Sequence, residues 1–191
     1  MRRRGLQIGV LVLALGLLAW AVTVTLERLA TPTAAPPPVA PVAAAATAHI
    51  TATLFYGSPD GQALIPIRRE VPLAEGVIAQ GRQILMAQLA AAPAGQQSVI
   101  PAGTELRAFY VTERGDAFID LSDRLRTAHP GGSLTELLTV YAMVNAVTAN
   151  LPAIQRVQLL IEGKEVDTIA GHVDVRRPLT RDVSLVRETT P

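Results

Sequence analysis

The chain contains no cysteine. That absence excludes disulfide frameworks, thiolate zinc sites, iron–sulfur clusters, thiol nucleophiles and any lipid anchor attached through a cysteine. Aromatic residues are scarce too, at 4% of 191 residues, so platforms for stacking bases or sugars are few. An excess of charge of either sign is also lacking, since the net charge is +1. The balance is uneven along the chain, however. Residues 1–30 carry four arginines against one glutamate, or +3, and the remaining 13 basic and 15 acidic residues leave 31–191 at −2. A broad basic footprint for phosphate backbones is missing, and nucleic acid is not expected as a partner.

What the sequence does hold is a long apolar run. Leu6 to Leu26 is 21 residues without a charge. A helix of that length, at about 1.5 Å per residue, spans a hydrocarbon core of about 30 Å. Arg2-Arg3-Arg4 before it and the neutral Glu27-Arg28 pair after it orient the N-terminus toward the cytoplasm. The expectation is a single-pass signal anchor over 1–30 with everything beyond it extracytoplasmic. A cleaved signal peptide is the alternative, because Ala19-Trp20-Ala21 has the small-x-small form of a cleavage site. Either reading exports the rest. Residues 31–48 are rich in proline and alanine, including Pro36-Pro37-Pro38, and read as a disordered, semi-rigid spacer.

The remaining residues are enough for one domain with a core. His49–Tyr56 alternates, Ser58-Pro59-Asp60-Gly61 supplies turn chemistry, and Leu64–Val71 follows, which predicts a hairpin. Helical spacing over Leu73–Ala91 predicts a first helix. Glu105–Val111 and Ala117–Leu121 around Arg114-Gly115-Asp116 predict a second hairpin. Ser133 and Glu136 have capping-box spacing, and Leu134, Leu137, Leu138, Tyr141, Val144 and Thr148 form one stripe behind them. Asn145 shares that stripe and reads as a buried polar anchor to backbone. A third hairpin is expected from Arg156–Ile161 and Glu165–Ile169. The fold class is α+β, a mostly antiparallel sheet with two main helices on it, over 49–180, with a flexible tail over 181–191.

Chemistry is harder to find. Gly163-Lys164 lacks the residues of a phosphate-cradling loop. His49, His129 and His172 are far apart in sequence and form no helical metal motif. His172 and Asp174, if on a strand, share a face about 6.6 Å apart, yet a His–Asp pair without a nucleophile is no triad. Asp120 and Asp123 could do acid–base work, although a strand-end Asp-x-Ser-Asp corner with Ser122 fits local side-chain to backbone bonding better. No catalytic residue, cofactor or metal is expected, and the protein is not expected to be an enzyme.

Several stretches, in order, resemble the GerMN domain, the extracytoplasmic module of sporulation and spore-germination proteins. They are Leu54-Phe55-Tyr56 with Asp60-Gly61 and Leu64 to Arg69, Ile100 to Thr104, Ala117 to Ser122, Glu136 to Thr148, and Val157 to Ile161 through Gly171-His172-Val173-Asp174 to Arg177-Pro178-Leu179. The resemblance implies an α+β domain similar to ring-building modules of secretion complexes, acting in assembly or sensing without catalysis. It marks Asp120, Ser122, Glu136, Asn145, Gly171, His172, Asp174 and Pro178 as signature positions with structural roles. The chain differs from lipoprotein members in lacking a lipidated cysteine and from germination members in carrying one copy. The expected partner is a protein of the cell envelope, or a second copy of the chain, bound at a sheet edge or helix face. The alternative is a module that binds peptidoglycan or a small ligand.

Overall fold

The computed structural model describes residues 48–187, together with Trp20 and Thr25, which are helical. Apart from those two residues and Ala48, the expected anchor and spacer lie outside the described residues. Among the described residues no helix is long and apolar enough to cross a membrane. The chain divides into two units, Met1–Ala45 and Ala46–Pro191, and the architecture below is that of the second.

The domain is α+β. β1 (His49–Gly57) and β2 (Leu64–Pro72) form an antiparallel hairpin in register from His49 opposite Pro72 to Gly57 opposite Leu64. Helix α1 (Val77–Leu89) follows, four residues shorter at its start than the helical spacing suggests, because Gly76 takes a left-handed φ of 82° immediately before it. β3 (Leu106–Val111) and β4 (Asp116–Leu121) make the second hairpin, with a bulge between Leu106 and Ala108. A short α2 (Arg124–Thr127) and a long α3 (Ser133–Asn150) lead to β5 (Arg156–Ile161), β6 (Lys164–Glu165) and β7 (Leu179–Thr180).

Two features depart from a mostly antiparallel sheet. The strands form two sheets, β1-β2 and β3-β4-β5-β6 with β7 also on β5. Within the second sheet β4 and β5 run parallel, Asp116 opposite Arg156 through Leu121 opposite Ile161. Parallel neighbours need a crossover, and α2 and α3 provide it. The third hairpin is also shorter than expected. Its two-residue turn, with φ of 51° at Glu162 and 74° at Gly163, has both central residues left-handed, as a tight hairpin requires. The returning strand then ends at Glu165, because β5 shares its second edge: Leu160 and Ile161 pair with β6, and Arg156 and Val157 with β7.

Helix α3 carries the core. One apolar stripe is expected, yet from Leu138 to Val147 every residue except Tyr141 is buried. A helix buried on nearly all sides must have packing partners around it. α3 touches β1, α1, β5 and β7, and so ties both sheets together. Phe109 of β3 lies against Gly81 of α1 and leaves no room there for a Cβ.

The free edge of β1 is closed without a strand. Asn150 of α3 accepts the Thr53 amide and donates to the Thr53 carbonyl, both at 2.8 Å. Two residues on, Gln88 of α1 does the same to Phe55, at 2.8 and 2.7 Å. Gly57 then donates its amide to the Gln97 carbonyl at 2.8 Å. Residues 53, 55 and 57 are the alternate positions that face away from β2, so each carboxamide stands in for a missing strand. Among the described residues every buried side-chain nitrogen and oxygen has a partner.

The chain after Thr180, expected as a flexible tail, is held as far as Arg187. Asp182 exchanges two hydrogen bonds with the Asn145 carboxamide, at 2.8 and 3.0 Å. Leu64 donates to Leu185 and accepts from Arg187, and the Arg187 guanidinium pairs with Asp60 at 2.8 Å. Hydrogen bonds from Ser58, then Arg187 and Gln62, hold the Asp60 carboxyl well below the usual carboxylate range.

Replacing Asn150 with alanine strands one amide and one carbonyl of β1. The expected loss is about 2–4 kcal/mol, read as a lower urea midpoint at unchanged slope. An unchanged midpoint would show that the carboxamide does not close the edge.

Candidate functional site

The residues marked in the sequence fall into three clusters. The first centres on Glu136, which is fully buried on α3. No capping box forms. The helix begins after Gly132, with no side-chain hydrogen bond at its cap, and Glu136 turns to the 166–175 loop instead. Its Oε1 accepts the amides of Ile169 and Ala170 at 2.8 and 2.7 Å, and its Oε2 accepts the His172 amide at 2.8 Å. His172 Nδ1 lies 3.2 Å from the same oxygen. A buried carboxylate requires such partners, and exposed cap geometry could not supply as many. Burial pushes the Glu136 carboxyl up, but the amides of Ala170, His172 and Ile169 outweigh it and hold it below its ordinary value. His129, on the other side, accepts the Gly131 amide and bonds Thr139, and burial lowers its basicity.

The loop is not a strand, so His172 and Asp174 do not share a strand face. His172 bonds Glu136, whereas Asp174 takes two bonds from the Arg176 guanidinium, at 3.0 and 2.7 Å, and one from its amide. Those bonds hold the Asp174 carboxyl well below its usual range. Gly171 takes φ 98° and donates its amide to Thr168, and Pro178 lies half-buried before β7.

The second cluster is at the β4 end. Asp120 Oδ1 accepts the Gly163 amide at 2.7 Å, and Oδ2 meets Arg107 Nε at 3.4 Å. Arg107 also pairs with Glu162 at 2.6 Å, whose carboxylate accepts the Asp123 amide. Ser122 accepts the Glu105 amide through its hydroxyl. Asp120 therefore braces the β5–β6 turn, and Asp123 enters the network through its backbone. The third cluster is Asn145 with Asp182. Among the described residues no three histidines, aspartates or glutamates lie so as to hold a metal.

The open surface lies elsewhere. Between the start of α1 and the end of β3 is a groove of about 580 Å³, lined by Val77, Ile78, Val111 and Arg82, with exposed Glu75 and Glu113 also on it. Val77 and Ile78 are 36% and 48% exposed, which is high for apolar side chains on a packed helix. The residue pattern missed this groove. Its local signal is weak: adjacent Val77 and Ile78 open the helix on its first turn, whereas the equally adjacent Ile84 and Leu85 further along it are fully buried. A second concavity of about 520 Å³ runs between the Gln97–Ala102 segment and the start of α3.

These features define a small α+β domain whose polar clusters are internal ties and whose open face is apolar. The profile of the Germane family, described as sporulation and spore germination, matches residues 53–167. The chain belongs to that family. Its fold is similar to that of a candidate lipoprotein from Clostridium perfringens, at 21% identity and TM-score 0.51, over 71% of this chain and 89% of that one. It is also similar to the tandem GerMN domains of the sporulation protein GerM from Bacillus subtilis, at 18% identity and TM-score 0.52. That match covers 71% of this chain and 46% of the tandem chain, less than half its length. The curated proteins contain no match.

Because the folded state depresses the Glu136 carboxyl, its contribution to stability is complete above the unfolded carboxyl's pKa of about 4.3. It is lost as pH falls through the lower folded value. Glu136→Gln places a second donor against the loop amides. At pH 7 it is expected to destabilise by about 1–3 kcal/mol, with the gap to wild type closing in acid. Equal denaturation midpoints at pH 7 would contradict this.

Proposed function

We propose that this chain is a non-catalytic interaction module of the cell envelope, held at the membrane by its N-terminal segment, with the domain extracytoplasmic. It serves the assembly or sensing side of sporulation and germination-type processes. The observation that carries this reading is the contrast between its polar and apolar features. Glu136, Asp120, Asn145 and Asp174 are all engaged by partners within the chain, while an apolar groove beside a strand edge is open. A catalytic site needs groups positioned to reach a substrate, and these side chains spend their bonding capacity on the fold. The run of 21 uncharged residues behind three arginines supports the tether.

Crosslinking in native membranes, followed by mass spectrometry, is expected to join the chain to a specific envelope protein or to a second copy. Recovery of neither would count against the proposal. Asp123→Ala and His172→Ala, in stably folded chains, are expected to leave that crosslink and the host phenotype unchanged.

A second reading, binding of wall glycan, is supported by one feature. Tyr110, 58% exposed, stands directly opposite half-buried Phe118 on the sheet face away from the helices, and such a pair can stack a sugar ring. If it does, the chain pellets with purified peptidoglycan and Tyr110→Ala does not; absence of pelleting disposes of this reading.

A further inference from the structure

We infer that the groove between α1 and β3 takes an extended peptide, added as a strand to the β3 edge, with an apolar side chain in the groove and a basic residue next to it. The inference rests on the interaction-module reading and names the chemistry of the partner at that site.

β1 is closed by Asn150, Gln88 and Gln97. The outer edge of β2 is closed at Leu64 by residues 185 and 187, carries Pro66, which has no amide to offer, and presents charged Arg68 and Glu70 at its next outward positions. β5 shares its second edge between β6 and β7. Among the described residues β3 pairs with β4 alone. Thr112 donates its amide to Asp116, which sets the alternation along the strand. Residues 108, 110 and 112 turn toward β4, and Phe109 and Val111 turn their amides and carbonyls away. Those groups have no other partner among the described residues. No proline interrupts this stretch, and the bulge lies at the far end, before Ala108. The usual devices that protect an edge are missing where the groove begins.

Val111 lies on the edge and also lines the groove, opposite Val77 and Ile78 on the first turn of α1. A strand laid along Phe109 to Glu113 directs alternate side chains to one face, so one of them falls into that groove. Backbone pairing supplies affinity and the side-chain pocket supplies selection, as in other cases of strand addition beside a helix.

Glu75 and Glu113, both exposed on the groove, make no ion pair among the described residues. Arg82 is half-buried in the same lining, so the groove carries two carboxylates against one guanidinium and is acidic by one charge. An incoming lysine or arginine next to the apolar residue meets complementary charge.

A phage-displayed library of random heptapeptides, selected on the full chain in lipid nanodiscs, is expected to enrich sequences that alternate apolar and basic residues. The leading peptide, synthesised with a fluorescent label, should lose at least tenfold in affinity with Ile78→Asp and with Glu113→Lys, both surface changes, at unchanged melting temperature. Val111→Pro, which removes one outward amide, should do the same; if it fails to fold, the other two variants decide. No enrichment, an acidic consensus, or affinity indifferent to Ile78→Asp overturns the inference. Self-association of the full chain in sedimentation that Ile78→Asp abolishes assigns the groove to a second copy and also overturns it. A specific native partner whose crosslinks fall outside residues 75–82 and 109–113 removes the groove while leaving the interaction module intact. Peptide binding at the groove without any native partner has the opposite meaning.

Discussion

The buried carboxylate of Glu136 is the constraint on which the second half of the domain depends. It stands on the first turns of α3 and collects the amides of Ile169, Ala170 and His172. Without it, those amides have no strand or helix to bond, because the loop carries no regular structure. Hydrogen bonds to a charged acceptor are the stronger kind, and here they replace water for a group wholly removed from it. The fixed loop in turn allows Val175 to reach Gln158, whose side chain donates to its carbonyl at 2.6 Å, and brings β7 to the edge of β5. One acid on one helix thus anchors a segment, 166–178, that makes no helix or strand of its own.

Elsewhere the domain solves the same problem with neutral amides. Asn150 and Gln88 face β1 from two different helices and meet Thr53 and Phe55 at the spacing of alternate strand residues. Asn145 does this for the C-terminal segment. These side chains make α3 more than an apolar filler. It holds β1, the 166–175 loop and the segment beyond Thr180 at once, and its near-complete burial follows from that. The marked polar side chains Glu136 and Asn145 are thus engaged by internal backbone.

β1 is closed by carboxamides, and β2 is guarded by the C-terminal segment, Pro66 and charged residues, whereas among the described residues β3 has none of these over 108–111, beside its groove. Its outward groups are unpaired among the described residues and the groove beside it is apolar. The chain belongs to a family described as sporulation and spore germination. The similar solved structures, at about one-fifth identity, speak to the fold alone.

The residue pattern alone determined the elements governed by local spacing. The first two hairpins follow from alternation and turn residues, and both long helices from three- and four-residue recurrence, since these signals come from neighbours within one turn or one strand pair. It also identified Glu136 and Asn145 as notable, the first for capping and the second as a backbone anchor. Only the tertiary structure decided where Glu136 points, because its partners lie 33 to 36 residues away and no local rule ranks them above a cap amide. The parallel pairing of β4 and β5, the truncated β6 and the docked segment to Arg187 belong to the same class. Each reflects competition for a shared strand edge, a long-range property that spacing does not encode. The groove is the plainest case: Val77, Ile78 and Val111 are ordinary apolar residues in sequence, and packing alone left them exposed together.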